Sequence, residues 1–266
     1  MSYLQHFGLK HDPLGKNIRS TVHSTQADQL KNKLNWLLQT KGIGLITGEA
    51  GTGKTTALRE WSNTLNPMTH HLIYQSDNHF KAFDIYSQFA DSLGLEKYAR
   101  YSKLWRALKQ ELLNLTEHKQ LSPIWIVDEA HLAPANFFAE LPAFLNFDFD
   151  SREIITIILV GSPSLQAMLK KSIYSPLYSR VLFQFSWQTI DSLVKFHEFV
   201  MEALKNAGIH NSIISQSGMQ LIYMGSKGRL RVAHKILTHA FQKAADSNCN
   251  HLSDEIIQQA IEAVAS

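Results

Sequence analysis

Residues 42–56 read GIGLITGEAGTGKTT, and this stretch decides the fold. Ile43 to Ile46 form a short apolar run, expected as a buried strand. The run breaks into a glycine-rich turn, and helical periodicity follows in TTALREWSNTL. The turn fits G-x-x-x-x-G-K-[ST] with Gly48, Gly53, Lys54 and Thr55, the spacing of a phosphate-binding loop. Glycines let successive backbone N–H groups close around phosphate oxygens, and the helix behind them presents its positive end. Glu49, Ala50, Gly51, Thr52 and Thr56 complete the expected cradle. The motif assigns Lys54 to the β- and γ-phosphates and the Thr55 hydroxyl to Mg2+.

Working outward, a second chemical signal stands at residues 124–129, IWIVDE. Four apolar residues predict a strand buried on both faces. Such a strand delivers Asp128 and Glu129 to its carboxyl end, where open α/β sheets bind their ligands. Asp128 is expected to hold Mg2+, directly or through water, and Glu129 to polarise the water that attacks the γ-phosphate. The motif is weak alone. It gains force from following Lys54 by 74 residues. His131 extends the run to Asp-Glu-Ala-His and reads best as a surface or supporting histidine.

Composition agrees with a folded enzyme. Hydrophobic residues make up 44% and charged residues 18% of the 266 positions, which excludes a disordered chain. The formal charge is only +3, so nucleic acid would have to meet a local patch. The single cysteine, Cys249, excludes an internal disulfide and fits a reducing compartment. The N-terminus lacks the apolar core of a signal peptide, and no apolar run is long enough to span a bilayer. A cytoplasmic location without membrane contact is the expectation.

Residues 1–24 read as a lead-in with little regular structure. Leu30, Leu34, Leu37 and Leu38 mark a helix over 25–40, and HLIYQ at 71–75 a second strand. Helices are expected over 79–93 and 100–118, the latter with Leu104, Leu108, Leu112 and Leu115 as its stripe. Between Lys97 and Lys119 six basic residues face two acids. That excess reads first as a solvated face. Its sharper reading is a DNA-facing patch, with Lys81, Lys103 and Arg106 as candidate contacts. IITIILV at 154–160 predicts a fourth strand that ends at Gly161-Ser162, and VLFQF at 181–185 a fifth, preceded by Arg180. Strands alternating with helices imply a parallel sheet covered on both faces. Residues 25–188 are therefore expected as one α/β domain. Residues 189–266 hold only helical patterns and read as a separate helical domain. Arg229 is expected to reach back to phosphate, and Arg231 and Lys235 to face solvent.

Taken together, the loop, the acidic strand, Ser162 after strand four, Arg180 before strand five and Arg229 in a helical segment resemble an AAA+ ATPase. The opening YLQHFGLKHDPLGK, with IWIVDEAHL, IILVGSPSLQAML and SKGRLR, is similar to the ExeA-like ATPases in order and spacing. That group includes the transposition regulators TniB and TnsC and is akin to the IstB helper ATPases. The resemblance runs from about residue 3 to 262. It implies ATP with Mg2+, a five-stranded parallel sheet in the order 5-1-4-3-2, and a C-terminal helical lid. It assigns Ser162 as sensor one, Arg180 as a finger acting on a neighbouring subunit, and Arg229 as sensor two. Ser162 departs from the Gln of the ExeA-like pattern, and Gly228 stands where a proline usually precedes the lid arginine.

The resemblance further implies homo-oligomers, as a ring or a helical filament, assembled on double-stranded DNA. The leading expectation is an ATPase that regulates DNA transposition by recruiting or activating a transposase, with a target-selection protein as a further partner. An ExeA-like secretion ATPase would be expected to carry a membrane span and a wall-binding tail. A replication or repair loader would depend on a partner for activity. An ATP-gated scaffold with residual hydrolysis is the non-enzymatic alternative, and Glu129 argues against it.

Overall fold

The computed structural model describes residues 2–15, 25–78 and 81–265. The predicted helix over 79–93 therefore begins, at His79 and Phe80, outside the described residues, as does the lead-in from 16 to 24. In chain order the elements are α1 (Tyr3–His6), α2 (Thr25–Thr40), β1 (Gly42–Gly48), α3 (Lys54–Ser62), β2 (His70–Gln75), α4 (Ala82–Ser92), α5 (Tyr101–Glu117) and β3 (Ser122–Val127). There follow α6 (Ala135–Leu145), β4 (Thr156–Gly161), α7 (Pro163–Leu169), α8 (Ser175–Tyr178), β5 (Val181–Trp187), α9 (Leu193–Asn206), α10 (Gln216–Ser226), α11 (Leu230–Asp246) and α12 (Asp254–Ala265).

The chain divides into two compact units. The first comprises Thr25–Gly48 and Ala57–Trp187 and contains a five-stranded sheet in the order β2-β3-β4-β1-β5. All pairings are parallel, with Ile43 opposite Ile157 and Val181, and Ile124 opposite Thr156. This is the predicted order, 5-1-4-3-2, seen from the other edge.

Side-chain alternation along the strands sorts the core into two layers. Trp125 and Val127 join Leu45, Ile157 and Leu159 under α4, α5 and α6. Ile124 and Ile126 join Ile46, Ile158 and Val160 under α2 and α3. Central strands β1, β3 and β4 are therefore apolar almost without interruption, as strands covered on both faces must be. At the edge, β5 buries Phe183, Phe185 and Trp187 and exposes Leu182, Gln184 and Ser186, the period of two that one covered face produces.

Trp125 anchors the larger layer. It is fully buried, stacks on Phe89 with ring centroids 4.2 Å apart, and donates its indole N–H to Gln75 Oε1 at 3.1 Å. Trp125→Ala removes that volume from a packed interior and strands the Gln75 carbonyl oxygen. A loss of about 3–5 kcal/mol is expected in chemical denaturation. A loss under about 1 kcal/mol would mean that this layer is not packed as described.

Residues 130–153, for which the sequence reading assigned no element, contain α6. Phe137, Phe138, Leu141, Phe144 and Leu145 are all buried there. Pro142 lies inside this helix, where a residue without an N–H normally marks a helix end.

The second unit comprises the described parts of Met1–Ser24, the loop Glu49–Thr56, and Gln188–Ser266. Helices α9 to α12 pack around Phe196, Val200, Ile222, Leu237 and Phe241. The described part of the N-terminal segment holds only the short α1 as regular structure, and it packs on this unit's core. Tyr3 stacks on Phe241 at 5.8 Å, Phe7 meets the same ring edge-on at 5.0 Å, and Asp12 Oδ2 pairs with His234 Nε2 at 2.7 Å.

Candidate active site

In the first unit the acidic pair stands at the carboxyl end of β3. The strand stops at Val127, the last of the four apolar residues, and Asp128 and Glu129 occupy the turn that follows. Asp128 is nearly buried. Its Oδ1 accepts the Glu129 N–H at 2.8 Å, and its Oδ2 accepts the Tyr74 hydroxyl at 2.8 Å. The Asp128 carbonyl accepts from the Asn78 side-chain amide. Burial, followed by the hydrogen bond to Asp128 and the charges of Asp128 and Glu129, holds the Tyr74 hydroxyl well above its ordinary pKa. It therefore stays protonated and remains a donor. Tyr74 and Asn78 were missed by sequence reasoning; their only signal is their position at and just after the end of the second strand.

Glu129 has φ 52° and ψ 35°, in the left-handed region. A residue with a Cβ pays about 1–2 kcal/mol to sit there. Strain of this kind persists where surrounding structure imposes it, and it concentrates at functional positions. The turn aims a half-exposed carboxylate outward, with Oε2 3.5 Å from His131 Nδ1.

Strands β1 and β4 end at the same edge of the sheet. Gly48, the last residue of β1, lies opposite Trp187, and Thr47 lies opposite Gly161. Ser162 follows β4 and caps α7, its hydroxyl engaged with that of Ser164 at 2.7 Å. Arg180, just before β5, donates from Nη2 to Asp150 Oδ2 of its own chain at 2.6 Å. Asp148, Phe149 and Asp150 form a left-handed turn, with φ of 47°, 58° and 63°.

The loop Glu49–Thr56 belongs to the helical unit. Two side chains converge on one carbonyl: Lys54 Nζ donates to Glu49 O at 2.7 Å, and Thr52 Oγ1 donates to the same oxygen at 2.8 Å. Gly51 and Gly53 have φ of +76° and +107°, which glycine adopts without penalty. Gly51 is doubly constrained. A Cβ there would come within 2.6 Å of Arg231 Cβ, and its carbonyl accepts the Arg231 N–H at 3.0 Å.

Arg231 thus lies along the loop, at the start of α11. Arg229 caps that helix, with Nε 3.4 Å from Ser226 O. Gly228 explains the missing proline. Its φ is +69°, which proline cannot adopt, and a Cβ would meet the Ile190 carbonyl at 2.0 Å.

Mg2+ usually takes one or two protein oxygens together with phosphate and water. The Thr55 hydroxyl and the Asp128 carboxylate are donors of that type. Among the described residues no group of three His, Cys, Asp or Glu side chains forms a metal cage. Thr55 and Asp128 each offer an oxygen donor of the kind that a Mg2+ carried on phosphate takes.

The basic candidates divide. Lys81 precedes α4, and Lys103 and Arg106 project from α5 away from its buried leucine stripe; all three are exposed. Lys109 instead folds onto the Ala143 and Asn146 carbonyls and the Phe147 ring, and Lys119 pairs with Glu111 at 2.9 Å. Among the described residues no helix is long and apolar enough to cross a membrane.

Over 250 residues the chain is 29% identical to general secretion pathway protein A of Aeromonas hydrophila. That match covers 90% of this chain and 44% of the relative, so the chain spans less than half of that relative's length. Cdc6p from Pyrobaculum aerophilum superposes with a TM-score of 0.77 at 18% identity, over 96% of this chain and 72% of that one. Drosophila ORC bound to DNA gives 0.71 at 15% identity, over 96% and 65%. The Thermotoga maritima RuvB Holliday junction branch migration motor gives 0.57 at 16% identity, over 95% and 73%. At these identities the structural likeness is one of fold. The family model described as an AAA domain matches residues 37–169, half of the chain, and the chain belongs to the AAA family of ATPases.

Proposed function

We propose that this chain hydrolyses ATP in an oligomer assembled on duplex DNA, and that it regulates transposition by engaging a transposase. The observation that carries the nucleotide reading is Glu129. It is a carboxylate held in a strained left-handed turn, immediately after a buried aspartate, at the sheet end from which the phosphate-binding loop departs.

In this reading the backbone N–H groups of residues 49–56 bind phosphate oxygens. Lys54 exchanges the Glu49 carbonyl for phosphate, so its charge is already held in the loop. Thr55 and Asp128 would be the residues to hold Mg2+, with the Tyr74 hydroxyl fixing the Asp128 carboxylate. When bound, the ion would supply positive charge against the phosphoryl oxygens. Glu129 orients the attacking water and accepts its proton. Arg231, which runs along Gly51, is a better candidate than Arg229 for the lid arginine, because Arg229 is turned toward Ser226. Arg180 serves a neighbouring subunit only after its Asp150 pair opens. Assembly would then be coupled to hydrolysis, since a missing trans arginine costs phosphoryl transfer about 10³-fold or more.

For DNA, the support is the exposed pair Lys103 and Arg106, one turn apart on α5, together with a fold shared with proteins solved on DNA. Contacts of this kind bind phosphate without reading sequence. The transposition role rests on the resemblance to the ExeA-like group, which includes the transposition regulators TniB and TnsC. A second reading, an ATPase that serves a secretion system, is favoured by the 29% identity to the A. hydrophila protein.

ATP turnover with and without linear duplex DNA, alongside sedimentation of the ATP-bound chain, separates the two. Stimulation by about tenfold or more with ATP-dependent assemblies on DNA is expected; contact-driven completion of the charge clamp has that capacity. Turnover indifferent to DNA, with no assembly on it, would reject the DNA reading in favour of the secretion one.

A further inference from the structure

His131 lies between two groups of the proposed site and belongs to neither. It sits in the 3-10 turn Ala130–Leu132, directly behind Glu129, and its side chain is mostly buried. Its Nδ1 lies 3.5 Å from Glu129 Oε2 on one side and 3.4 Å from the Ser162 backbone nitrogen on the other. Room for the ring comes from Gly161. A Cβ at that position would approach His131 Nδ1 to 3.2 Å and its backbone nitrogen to 3.3 Å, closer than side chains ordinarily pack.

The chemistry of one nitrogen makes these contacts alternatives. A bare Nδ1 accepts the Ser162 N–H; an Nδ1 that carries hydrogen donates to the Glu129 carboxylate. Exchange between the two neutral ring tautomers is enough to switch partners. Both separations exceed an ordinary hydrogen bond by a few tenths of an ångström, so a slight ring rotation tightens one and releases the other. Glu129 needs such a partner. Its carboxylate is half exposed, and a left-handed backbone fixes its Cα but leaves the side chain free to swing.

We propose that His131 is the positioning residue of Glu129: its Nδ1 serves either the Ser162 N–H at the end of β4 or the Glu129 carboxylate, and it holds the carboxylate when the Ser162 N–H withdraws. The inference rests on the reading of Glu129 as the water-activating base. It adds a route by which a shift at the β4 terminus, where Ser162 stands, changes the aim of that base. Withdrawal of the Ser162 N–H frees Nδ1 to hold Glu129, and its return releases the carboxylate.

The test uses the full chain and four variants: His131→Ala, His131→Asn, Glu129→Gln and the Glu129→Gln/His131→Ala double variant. His131→Ala is expected to lower kcat about tenfold, the scale of a misaimed catalytic group, with ATP affinity and Tm unchanged. His131→Asn places an amide where Nδ1 stood and should recover most of that loss. In the Glu129→Gln background, His131→Ala should have no further effect, since the two residues act as one unit. Wild-type kcat in His131→Ala, no recovery with Asn, or an equal loss in the Glu129→Gln background would each overturn the positioning role. If Glu129→Gln itself turns over ATP normally, the reading of Glu129 fails and this inference falls with it. A dead Glu129→Gln beside a fully active His131→Ala rejects the inference alone.

Discussion

Lys54→Ala is expected to weaken ATP binding about 100-fold, equivalent to about 2.7 kcal/mol, in a titration followed by calorimetry or a fluorescent nucleotide. The size follows from what the ammonium does. It is nearly buried, and it already sits on the Glu49 carbonyl at the centre of the loop. A charged donor held in that position contributes more than an exposed lysine, and charge-assisted contacts to phosphate are the strong ones. Folding should be little affected, because Thr52 Oγ1 continues to donate to the Glu49 carbonyl when the lysine is gone. Unchanged affinity with unchanged Tm would remove the loop from the phosphate site.

Glu129→Gln separates binding from chemistry. The amide keeps the size and the left-handed backbone of the native residue and loses the ability to take a proton. ATP should bind as before while kcat falls about 10²–10⁴-fold, the usual contribution of a positioned general base. Glu129→Gly probes the same residue from its backbone. Glycine relieves the cost of φ 52°, so this variant should unfold about 1 kcal/mol later than the parent while losing turnover. More stability and less activity from one substitution is the signature of strain retained for function. Destabilisation by Glu129→Gly would mean that the turn is not strained. Normal turnover in Glu129→Gln would mean that the base lies elsewhere.

How much of this was legible in the sequence depends on what each residue does locally. Strands β1, β3 and β4 are covered on both faces, so their sequences are apolar runs that announce themselves. Strand β5 shows its burial as alternation. Helix α6 gave no such signal, because Pro134 and Pro142 punctuate it as if it were a loop, while tertiary burial of Phe137, Phe138 and Phe144 holds it helical. The phosphate loop was legible because backbone geometry demands glycine at fixed positions.

Roles that depend on where side chains turn were harder to see. Arg229 and Arg231 look alike in GRLR; Arg229 Nε lies 3.4 Å from Ser226 O, while Arg231, exposed as expected, has its stem beside Gly51. Lys109 counted toward a basic patch in the sequence, yet its ammonium is spent on two carbonyls and the Phe147 ring. The clamp on Asp128 by Tyr74 and Asn78 joins residues 54 and 50 positions apart, which no local pattern records.

The central claim is that this chain turns ATP over and does so through contact between subunits. Phosphate release by the wild-type chain with Mg2+ and ATP, followed across protein concentration, tests it most directly. The account predicts turnover that rises more steeply than protein concentration, as junctions form and an arginine from one subunit completes the site of the next. ATP that stays bound and intact at every concentration would contradict it, leaving an ATP-gated scaffold in place of an enzyme.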